Sequence, residues 1–306
     1  KLEEVISLCD TVTIMRSGEV IDTSSIENQT AESLATKMLG QKLEDLKKDN
    51  AHVKNEINFE TKNISCSFND PFFTDIKNIS LEVNKGEIFG IAGVAGNGQS
   101  ELMDILVGEN NRIDSGEIIF KNINIENFNP QQRRNLSIAF VPENRLGHSA
   151  VPELTLSENI LLSQFAHNKF SKYGIIDKDY IENHTNTVIQ NFNVVTPGSD
   201  AKASSLSGGN LQKFVIGREI TSNPELLIIS HPTWGIDAGA EHSIRESLIN
   251  LSKNGTSIIV ISQDLDELIE ITHRMSVIYD GKLSKSFNTK DIDITKLGLL
   301  MGGKND

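Results

Sequence analysis

A glycine-rich stretch at residues 93–100, GVAGNGQS, has the residue types and spacing of a phosphate-binding loop. Residues 86–92 before it are typical of a strand that enters a turn, and residues 101–107 after it are typical of a helix. That order surrounds one concavity with backbone N–H groups and a helix N-terminus, which together attract an anion such as a nucleotide phosphate. The candidate phosphate-binding residues are Gly93, Gly96, Asn97, Gly98, Gln99, Ser100 and Glu101.

One position of this loop departs from the usual pattern. The G-x-x-x-x-G-K-[ST] loop places a lysine on the β- and γ-phosphates and a hydroxyl on Mg²⁺. Ser100 keeps the hydroxyl and is the candidate Mg²⁺ ligand, whereas Gln99 replaces the lysine and brings no charge. Two unit charges about 4 Å apart interact by about 4 kcal/mol at an effective dielectric of ~20. We therefore expect phosphate affinity to be weaker by up to roughly a thousandfold.

A second motif, LSGGN at residues 206–210, precedes a helix-like run that continues to Ile220. Small residues at a helix N-terminus let an anion approach the backbone amides closely. A serine that only caps an ordinary helix is the simpler alternative. The candidate binding residues of this motif are Ser207, Gly208, Gly209 and Asn210.

The two motifs in this order resemble those of ABC-type ATPases, and the resemblance runs from about residue 56 to the C-terminus. It implies an α/β fold: a P-loop ATPase domain with a RecA-like core, an antiparallel β edge subdomain and a helical subdomain at about residues 143–205. It also implies ATP as the cofactor, accompanied by Mg²⁺. In this family the LSGG serine and glycine contact the γ-phosphate of ATP held by the other ATPase domain.

Several catalytic positions depart from the family pattern together. Residues 226–233, LLIISHPT, resemble the Walker B segment, which usually ends Asp-Glu-Pro-Thr. Because γ-phosphate transfer depends mostly on positioning and charge stabilisation around Mg²⁺, these departures predict an inactive or very weak site. The substituted positions are Ser230 for the aspartate, His231 for the glutamate, Gln263 for the switch histidine and Glu143 for the Q-loop glutamine, whereas Asp237 matches the D-loop aspartate.

Two other functions are compatible with these residues. In one, the site is active and His231 replaces the glutamate as general base, since its ordinary pKa of about 6.5 suits neutral pH. In the other, the chain is a nucleotide-sensing module outside transport. For adenine, the aromatic side chain of Phe68, Phe72 or Phe73 is expected to stack on the base, and packing in the core or at a strand edge is the alternative for each.

An internal repeat relates the two ends of the chain. Residues 1–8 align without a gap with residues 264–271, and the match continues through residues 13–20 and 276–283. Similarity at a fixed offset indicates duplication, although two unrelated amphipathic helices followed by a strand can agree by chance. The predicted organisation is the tail of a preceding ABC ATPase domain at 1–40, a linker at 41–58 and a second ABC ATPase domain at 59–306.

The predicted elements of the second domain are coarse. Strands are expected at 59–68 and 79–83 in the antiparallel subdomain, with 116–120 and 138–141 continuing that sheet. Helices are expected at 156–165 and 180–192, within the helical subdomain that in this family docks on the membrane-spanning partner.

Composition limits the function further. The formal net charge of −13 argues against a general nucleic-acid surface. No apolar run approaches the ~18 residues of a membrane span, and residues 1–30 show no signal-peptide pattern. Cys9 and Cys66 have no CxxC spacing, so a reduced cytoplasmic setting is the simplest interpretation.

The longer motifs suggest a type of transporter. The segments GVAGNGQSEL, VPENRLGHSAVPELTLSENILL and LSGGNLQK are similar to the second ATPase half of fused bacterial importers for monosaccharides and nucleosides. The missing Asp-Glu pair and the glutamine after Gly-Asn-Gly favour the nucleoside branch over the sugar branch. The implied partners are a first ATPase domain of the same parent chain, membrane permease subunits and, indirectly, a substrate-binding lipoprotein. The resemblance places the chain at the cytoplasmic face of the cell membrane, held there by the permease.

Overall fold

The computed structural model of the chain describes residues 2–16, 18–40, 46, 52–110, 112–165, 170–172 and 174–303. The elements up to the glycine-rich loop are α1 (Leu2–Leu8), β1 (Thr11–Arg16), β2 (Glu19–Ser25), α2 (Ala31–Leu39), β3 (Ile57–Cys66), β4 (Ile76–Asn84) and β5 (Ile88–Gly93). Most of the predicted linker at 41–58 lies outside the described residues, and β3 begins at its end.

The elements after the loop alternate between helices and strands. They are α3 (Gln99–Val107), β6 (Ser115–Phe120), β7 (Ile123–Asn124), α4 (Pro130–Asn135), β8 (Ile138–Val141), α5 (Leu156–Gln164), β9 (Ser171–Lys172), β10 (Ile175–Ile176), α6 (Lys178–Asn191), α7 (Gly208–Thr221) and β11 (Leu226–Ser230). The remaining ones are α8 (Ala238–Lys253), β12 (Ser257–Ser262), α9 (Leu265–Ile271), β13 (Arg274–Tyr279), β14 (Lys282–Leu283), β15 (Phe287–Asn288) and α10 (Ile294–Met301).

A central, mostly parallel sheet carries the strands that lead into the predicted motifs. Its order is β14-β13-β5-β12-β11-β8, with β15 paired to β13. The strands β5, β11 and β12 are continuous runs of buried residues, as expected for parallel strands covered on both faces. Because β5, β12 and β11 run parallel side by side, their carboxyl ends meet at one edge of the sheet.

A second sheet is antiparallel, in the order β4-β3-β6-β7. Residues 116–120 belong to this sheet as expected, but the prediction that 138–141 continue it is wrong. Those residues form β8, which pairs in parallel with β11 in the central sheet. All four β8 side chains are buried, whereas β6 alternates between exposed and buried positions, and that difference matches a two-sided strand and a one-sided strand.

Two hydrophobic clusters form the core. One lies between the two sheets and includes α3, and the other packs α5, α6, α7 and α8 against the opposite side of the central sheet. Helices α5 and α6 confirm the predicted helical segments with shifted ends. Helix α6 begins at Lys178, because Asp177 accepts a hydrogen bond from the Tyr180 backbone N–H and so caps it earlier than predicted. Among the described helices, none combines the length and the apolar character needed to cross a membrane.

Candidate nucleotide-binding site

The glycine-rich loop joins β5 to α3 in a conformation that needs glycine at its last turn. Gly98 is the N-cap of α3 and has φ +104°. A Cβ built on Gly98 would lie 3.2 Å from the Gly281 Cα and 3.1 Å from the Ile76 Cδ1. Positive φ and close packing therefore both exclude a larger residue. Helix α3 starts at Gln99, two residues earlier than the predicted 101, so the first amides of the helix belong to the loop.

Gln99 folds back onto its own loop. Its side chain is 5% exposed, and its Nε2 donates a hydrogen bond to the Gly93 carbonyl oxygen at 3.4 Å. The amide thus lies across the base of the loop, at the position where the sequence predicts a missing lysine. Ser100, the predicted hydroxyl for Mg²⁺, is exposed at the start of α3.

Asn97 fixes the loop from one side. Its Nδ2 donates to the Val94 carbonyl at 3.0 Å, and its Oδ1 accepts from the Asp280 N–H at 3.1 Å. The Asn97 carbonyl also accepts from the Gly281 N–H at 3.0 Å. The turn after β13 therefore supports the shape of the loop before any ligand binds.

Thr74 fixes the loop from the other side and was not singled out in the sequence. Its Oγ1 donates to the Gly96 carbonyl at 2.9 Å, and its N–H donates to Glu101 Oε1 at 2.8 Å. Glu101 is 7% exposed, so the structure places this predicted binding residue as a support for the 69–75 segment. Gly96 has φ +81° and open space around the position of a Cβ, which leaves room for a ligand.

A cavity of about 520 Å³ lies next to the loop, lined by Phe68, Phe73 and Thr74 among other residues. The Phe68 and Phe73 rings stack with centroids 5.5 Å apart. Phe72 is 93% exposed and does not line this cavity. Two of the three candidate aromatic residues are thus beside the loop.

The substituted positions Ser230, His231 and Gln263 come together at the carboxyl edge of the central sheet. Ser230 ends β11, His231 follows it, and Gln263 follows the end of β12. A cavity of about 340 Å³ lies there and is lined by His231, Gln263, Trp234 and Glu267 among other residues. Ser230, His231 and Gln263 therefore lie at the edge of the central sheet to which β5 and the glycine-rich loop also belong, and none of the three is a carboxylate.

His231 is buried and constrained. It is 7% exposed and has φ +47°, an uncommon backbone conformation for a residue other than glycine. Its Nε2 lies 4.0 Å from Glu143 Oε2. Burial lowers the pKa of His231, whereas the charges of Glu143 and Asp264 act in the opposite direction. The imidazole is therefore neutral at pH 7.

Glu267 is a second residue that the sequence did not reveal. It is 1% exposed and accepts hydrogen bonds from Thr233 Oγ1 at 2.7 Å and Ser262 Oγ at 2.8 Å. Burial raises the pKa of this carboxyl group. Glu267 ties the segment after β11 to the end of β12, and no signal in the sequence separates it from the exposed acidic residues of the same helix.

The LSGGN motif forms the start of α7. Ser207 caps the helix by accepting from the Asn210 N–H, and Asn210 Nδ2 also donates to Ser207 Oγ at 3.0 Å. Ser207 and Gly208 are exposed, so the helix N-terminus is open to a ligand or partner. A Cβ built on Gly209 would lie 3.7 Å from the Ile236 Cγ2, so this glycine packs near Ile236.

Arg145 joins this helix start to the segment after β11. A Cβ built on Gly208 would lie 3.0 Å from Arg145 Nη1, and Arg145 Nη2 donates to the Trp234 carbonyl. Asp237, the predicted D-loop aspartate, caps α8 by accepting from the Ala240 N–H at 3.0 Å. No hydrogen bond in the described part of the chain joins α7 to the glycine-rich loop.

The donor groups fit a nucleotide phosphate better than a magnesium ion. The open Gly96 turn and the start of α3 form an amide cradle of the kind that holds a phosphate. For Mg²⁺, which prefers carboxylate and water oxygens, the end of β11 supplies a serine and a histidine. Among the described residues there is no group of three or more His, Cys, Asp or Glu side chains that could hold a metal ion.

Comparison with known proteins is consistent with this geometry. Residues 76–234 match the family model described as ABC transporter. The chain is 37% identical to the nucleoside import ATP-binding protein NupA of Lactococcus lactis, over 100% of the chain and 60% of that protein. It is 34% identical to the guanosine import ATP-binding protein NupO of Bacillus subtilis, over 97% and 58%. Identity is also 34% to the galactose/methyl galactoside import ATP-binding protein MglA of Escherichia coli, over 95% and 56%.

The chain thus spans between 56% and 60% of the length of these curated relatives. Among solved structures, a nucleotide-free ATP-binding cassette from an ABC transporter matches with a TM-score of 0.64 and 22% identity, over 80% of this chain and 95% of that one. The ATP-binding subunit of an ABC transporter matches with a TM-score of 0.66 and 20% identity, over 80% and 99%. These likenesses confirm the predicted α/β cassette fold.

Proposed function

This chain belongs to the ABC transporter family, and from that premise we propose that it is a nucleotide-binding part of an importer whose own ATP site is degenerate. In this proposal the LSGG helix serves the ATP site of a partner ATPase domain. The observation that carries the proposal is the contrast between the uncharged residues at the loop and strand ends and the open, capped start of α7 with its arginine.

ATP binding at the chain's own site is supported by the amide cradle. The loop held by Asn97 and Thr74 presents N–H groups and an open turn at Gly96, and the cavity beside it offers Phe68 and Phe73 to a base. ATP bound here would supply a γ-phosphate, and in this proposal that γ-phosphate is hydrolysed weakly or not at all. Gln99 holds no positive charge for that phosphate, so we expect binding weaker than at a loop that carries lysine.

Weak or absent hydrolysis follows from the edge residues. Positioning and charge stabilisation provide most of the acceleration in phosphoryl transfer, and Ser230, His231 and Gln263 contribute no carboxylate at this edge. Ser100 alone remains as a candidate oxygen for Mg²⁺, and the described residues do not assemble a metal site around it.

A second candidate is an active ATPase that uses His231 as general base. It is favoured by one observation, the lowered pKa that keeps the buried imidazole neutral and able to accept a proton at pH 7. The 4.0 Å separation from Glu143 would stabilise the protonated form after transfer.

The N-terminal segment supports a preceding ABC ATPase domain as the partner of this chain. Its elements α1, β1 and α2 start at Leu2, Thr11 and Ala31, and α9, β13 and α10 start 263 positions later, at Leu265, Arg274 and Ile294. We propose that residues 1–40 end a preceding ABC ATPase domain, that 41–58 link it to the domain at 59–306, and that this preceding domain holds the ATP served by Ser207 and Gly208.

Partners and cargo are proposed from the relatives. Proteins similar to this chain are named for the import of nucleosides, guanosine and galactose. We propose nucleoside uptake ahead of sugar uptake, because the loop lacks its lysine and β11 lacks its acidic ending. A permease would hold the chain at the cytoplasmic face of the membrane, and a substrate-binding lipoprotein would deliver the cargo.

A single-turnover assay tests the proposal. The chain is held in excess over radiolabelled ATP, and both bound nucleotide and released phosphate are measured. We expect bound ATP that stays intact, at the same level in wild type and in the double variant His231→Ala, Gln263→Ala. Phosphate release that disappears in the double variant would instead establish the second candidate, and failure to bind ATP at millimolar concentration would refute both.

A further inference from the structure

The internal repeat gives two structural copies whose interiors differ. We call residues 2–40 the first copy and residues 265–303 the second copy. In each copy a β-hairpin is followed by a helix that packs against the first strand of the hairpin. This helix is α2 on β1 in the first copy and α10 on β13 in the second. With a constant offset of 263 positions, every side chain of one copy has a defined counterpart in the other.

In the first copy, polar side chains fill the space between the hairpin and the helix. Lys37 Nζ donates to Asp22 Oδ2 at 2.6 Å and to Gln29 Oε1 at 3.2 Å. Gln29 Nε2 donates to Ser24 Oγ at 3.0 Å, and Ser33 Oγ donates to Gln29 Oε1 at 2.9 Å. Five side chains from the hairpin, the helix and the connection between them thus close this space with hydrogen bonds.

In the second copy the same positions form an open cavity of about 720 Å³. The counterparts of the five polar residues are Lys285, Phe287, Ile292, Lys296 and Leu300, and all of them line the cavity. Three hydrogen-bonding side chains are therefore replaced by apolar ones, which cannot close the space by hydrogen bonds.

The floor of the cavity is apolar and is part of the hydrophobic core. Val277 on β13 is 2% exposed and Leu297 on α10 is 1% exposed, and both belong to the main hydrophobic cluster of the domain. Phe287, Ile292 and Leu300 are half-buried around them. A volume of this size lies within the range of roughly 300–1,000 Å³ that is usual for small-molecule sites.

The acidic groups at the mouth already accept hydrogen bonds. Asp280 accepts from Lys77 Nζ at 2.9 Å, Asp291 accepts from Asn288 Nδ2 at 3.3 Å, and Asp293 caps α10 by accepting from the Thr295 N–H at 2.8 Å. The Lys285 side chain is exposed and forms no hydrogen bond or ion pair with another residue in the described ranges. Lys285 therefore gives the mouth a positive charge that no described carboxylate pairs with, beside the carboxylates of Asp280, Asp291 and Asp293.

We propose that this cavity of the second copy binds a small amphipathic anion. An apolar body, such as a chain of about eight carbons or one to two rings, lies against Phe287, Leu297 and Leu300. Its single carboxylate or sulfonate lies at the mouth, near Lys285. The cavity shares Asp280 with the cavity beside the glycine-rich loop, but Phe287, Leu297 and Leu300, which would contact the apolar body, do not line that second cavity.

The test uses octanoate as the anionic probe and octan-1-ol as the matched neutral probe. Isothermal titration of the 306-residue chain is expected to give one octanoate per chain with a Kd below about 1 mM, and octanol binding weaker by about three- to tenfold because the neutral head gains nothing from the lysines. Equal affinities, or no saturable octanoate binding, would overturn the proposal.

Two variants locate the binding. The double variant Lys285→Ala, Lys296→Ala is expected to lower the affinity for octanoate to that for octanol. The control double variant Lys178→Ala, Lys253→Ala removes the same charge elsewhere and should change neither affinity. The five-residue variant K285D, F287S, I292Q, K296S, L300K introduces the first copy's hydrogen-bonding set and is expected to abolish binding of both probes.

Two results would contradict the assignment even if octanoate binds. One is unchanged octanoate affinity in the double lysine variant, which does not alter the apolar floor and so keeps the test meaningful if the five-residue variant unfolds. The other is a concentration-dependent dimer, detected by analytical ultracentrifugation and dissolved by the five-residue variant, which would assign the cavity to a second copy of this chain.

Discussion

The starts of α3 and α7 are the two helix N-termini that we propose bind phosphate, and they differ in the charged side chains beside them. At α3 the loop has backbone amides and the Ser100 hydroxyl but no positively charged side chain of its own, and the buried Gln99 amide donates to the Gly93 carbonyl. At α7 the start is exposed and capped by Ser207, and Arg145 lies against Gly208.

The two helix starts differ because a positively charged side chain accompanies the backbone amides at α7 and not at α3. A guanidinium beside a helix N-terminus attracts a phosphate more strongly than the N-terminus alone. Burial lowers the pKa of Arg145 below its ordinary value, which reflects partial removal of the guanidinium from water. A charge in such surroundings is screened less than one in bulk water. The start of α7 therefore offers a positively charged side chain to a charged ligand, whereas the chain's own glycine-rich loop does not.

The largest expected effect comes from reversing the charge at the start of α7. In the assembled importer, Gly208→Asp is expected to lower ATP turnover by about 100- to 1000-fold, since it places a carboxylate where a phosphate would bind and pairs with Arg145. Gln99→Ala should lower turnover by no more than about tenfold, because a neutral hydrogen bond contributes about 1 kcal/mol. Steady-state phosphate release measures both.

The neutral isostere Gly208→Asn is the control for Gly208→Asp. It adds similar bulk next to Arg145 without the charge, so its turnover should lie between that of Gly208→Asp and that of wild type. If Gln99→Ala damages turnover as much as Gly208→Asp does, the comparison of the two helix starts is wrong and this chain's own loop carries the chemistry.

A smaller effect is expected from restoring the loop charge. Gln99→Lys should tighten ATP binding by about 10- to 100-fold, less than the Coulomb limit because a buried lysine loses hydration. Adenosine affinity should stay the same, since adenosine has no phosphate. Equilibrium dialysis with both ligands checks this, and an equal gain for adenosine would mean that the loop does not hold phosphate.

Ser207→Ala separates the capping role of this residue from its proposed role in trans. We expect the free energy of unfolding to fall by about 1 kcal/mol, because the cap of α7 is lost, while the chain's own ATP affinity is unchanged. Urea unfolding measures the first quantity. Ser247→Ala, at a half-buried position inside α8, removes no helix cap and should cause no such loss. A loss of ATP affinity in Ser207→Ala would place the LSGG motif in the chain's own site.

The smallest effect concerns pH and His231. Burial lowers its folded-state pKa below the ordinary 6.5, so the unfolded chain binds a proton first as the pH falls. Stability is therefore lost as the pH decreases from about 6.5 toward the folded-state pKa. The variant His231→Asn, which tolerates the positive φ, should lack this loss in urea titrations between pH 7 and 5. An unchanged pH profile would show that His231 is not buried as a neutral imidazole.

Much of the fold could be predicted because it is written in local patterns. The apolar runs of β5, β11 and β12 and the glycine spacing of the loop fix the parallel strands and the phosphate cradle. The placement of 138–141 failed, because a four-residue apolar strand does not reveal which neighbour it pairs with. Element ends shifted where a cap such as Asp177 or Gly98 decided them.

The parts of the site that sequence did not reveal are contacts between distant residues. Thr74 supports the loop from a segment 22 positions away, Glu267 joins the ends of two strands, and Arg145 lies against a helix that starts more than 60 positions later. Each has the composition of a surface residue, and only burial or proximity gives it a role.

The residue types along the chain are enough to predict an amide cradle for phosphate and to show that the usual lysine and carboxylates are missing from it. Residue types fix charge, so Gln99, Ser230 and His231 exclude the usual lysine and carboxylates whatever the fold. Only the tertiary structure decided where those residues meet and which groups accompany them, because the parallel order of β5, β12 and β11 sets the shared edge. It also decided that the second copy of the repeat keeps an open cavity, since hydrogen bonds between helix and hairpin depend on facing positions rather than on local pattern.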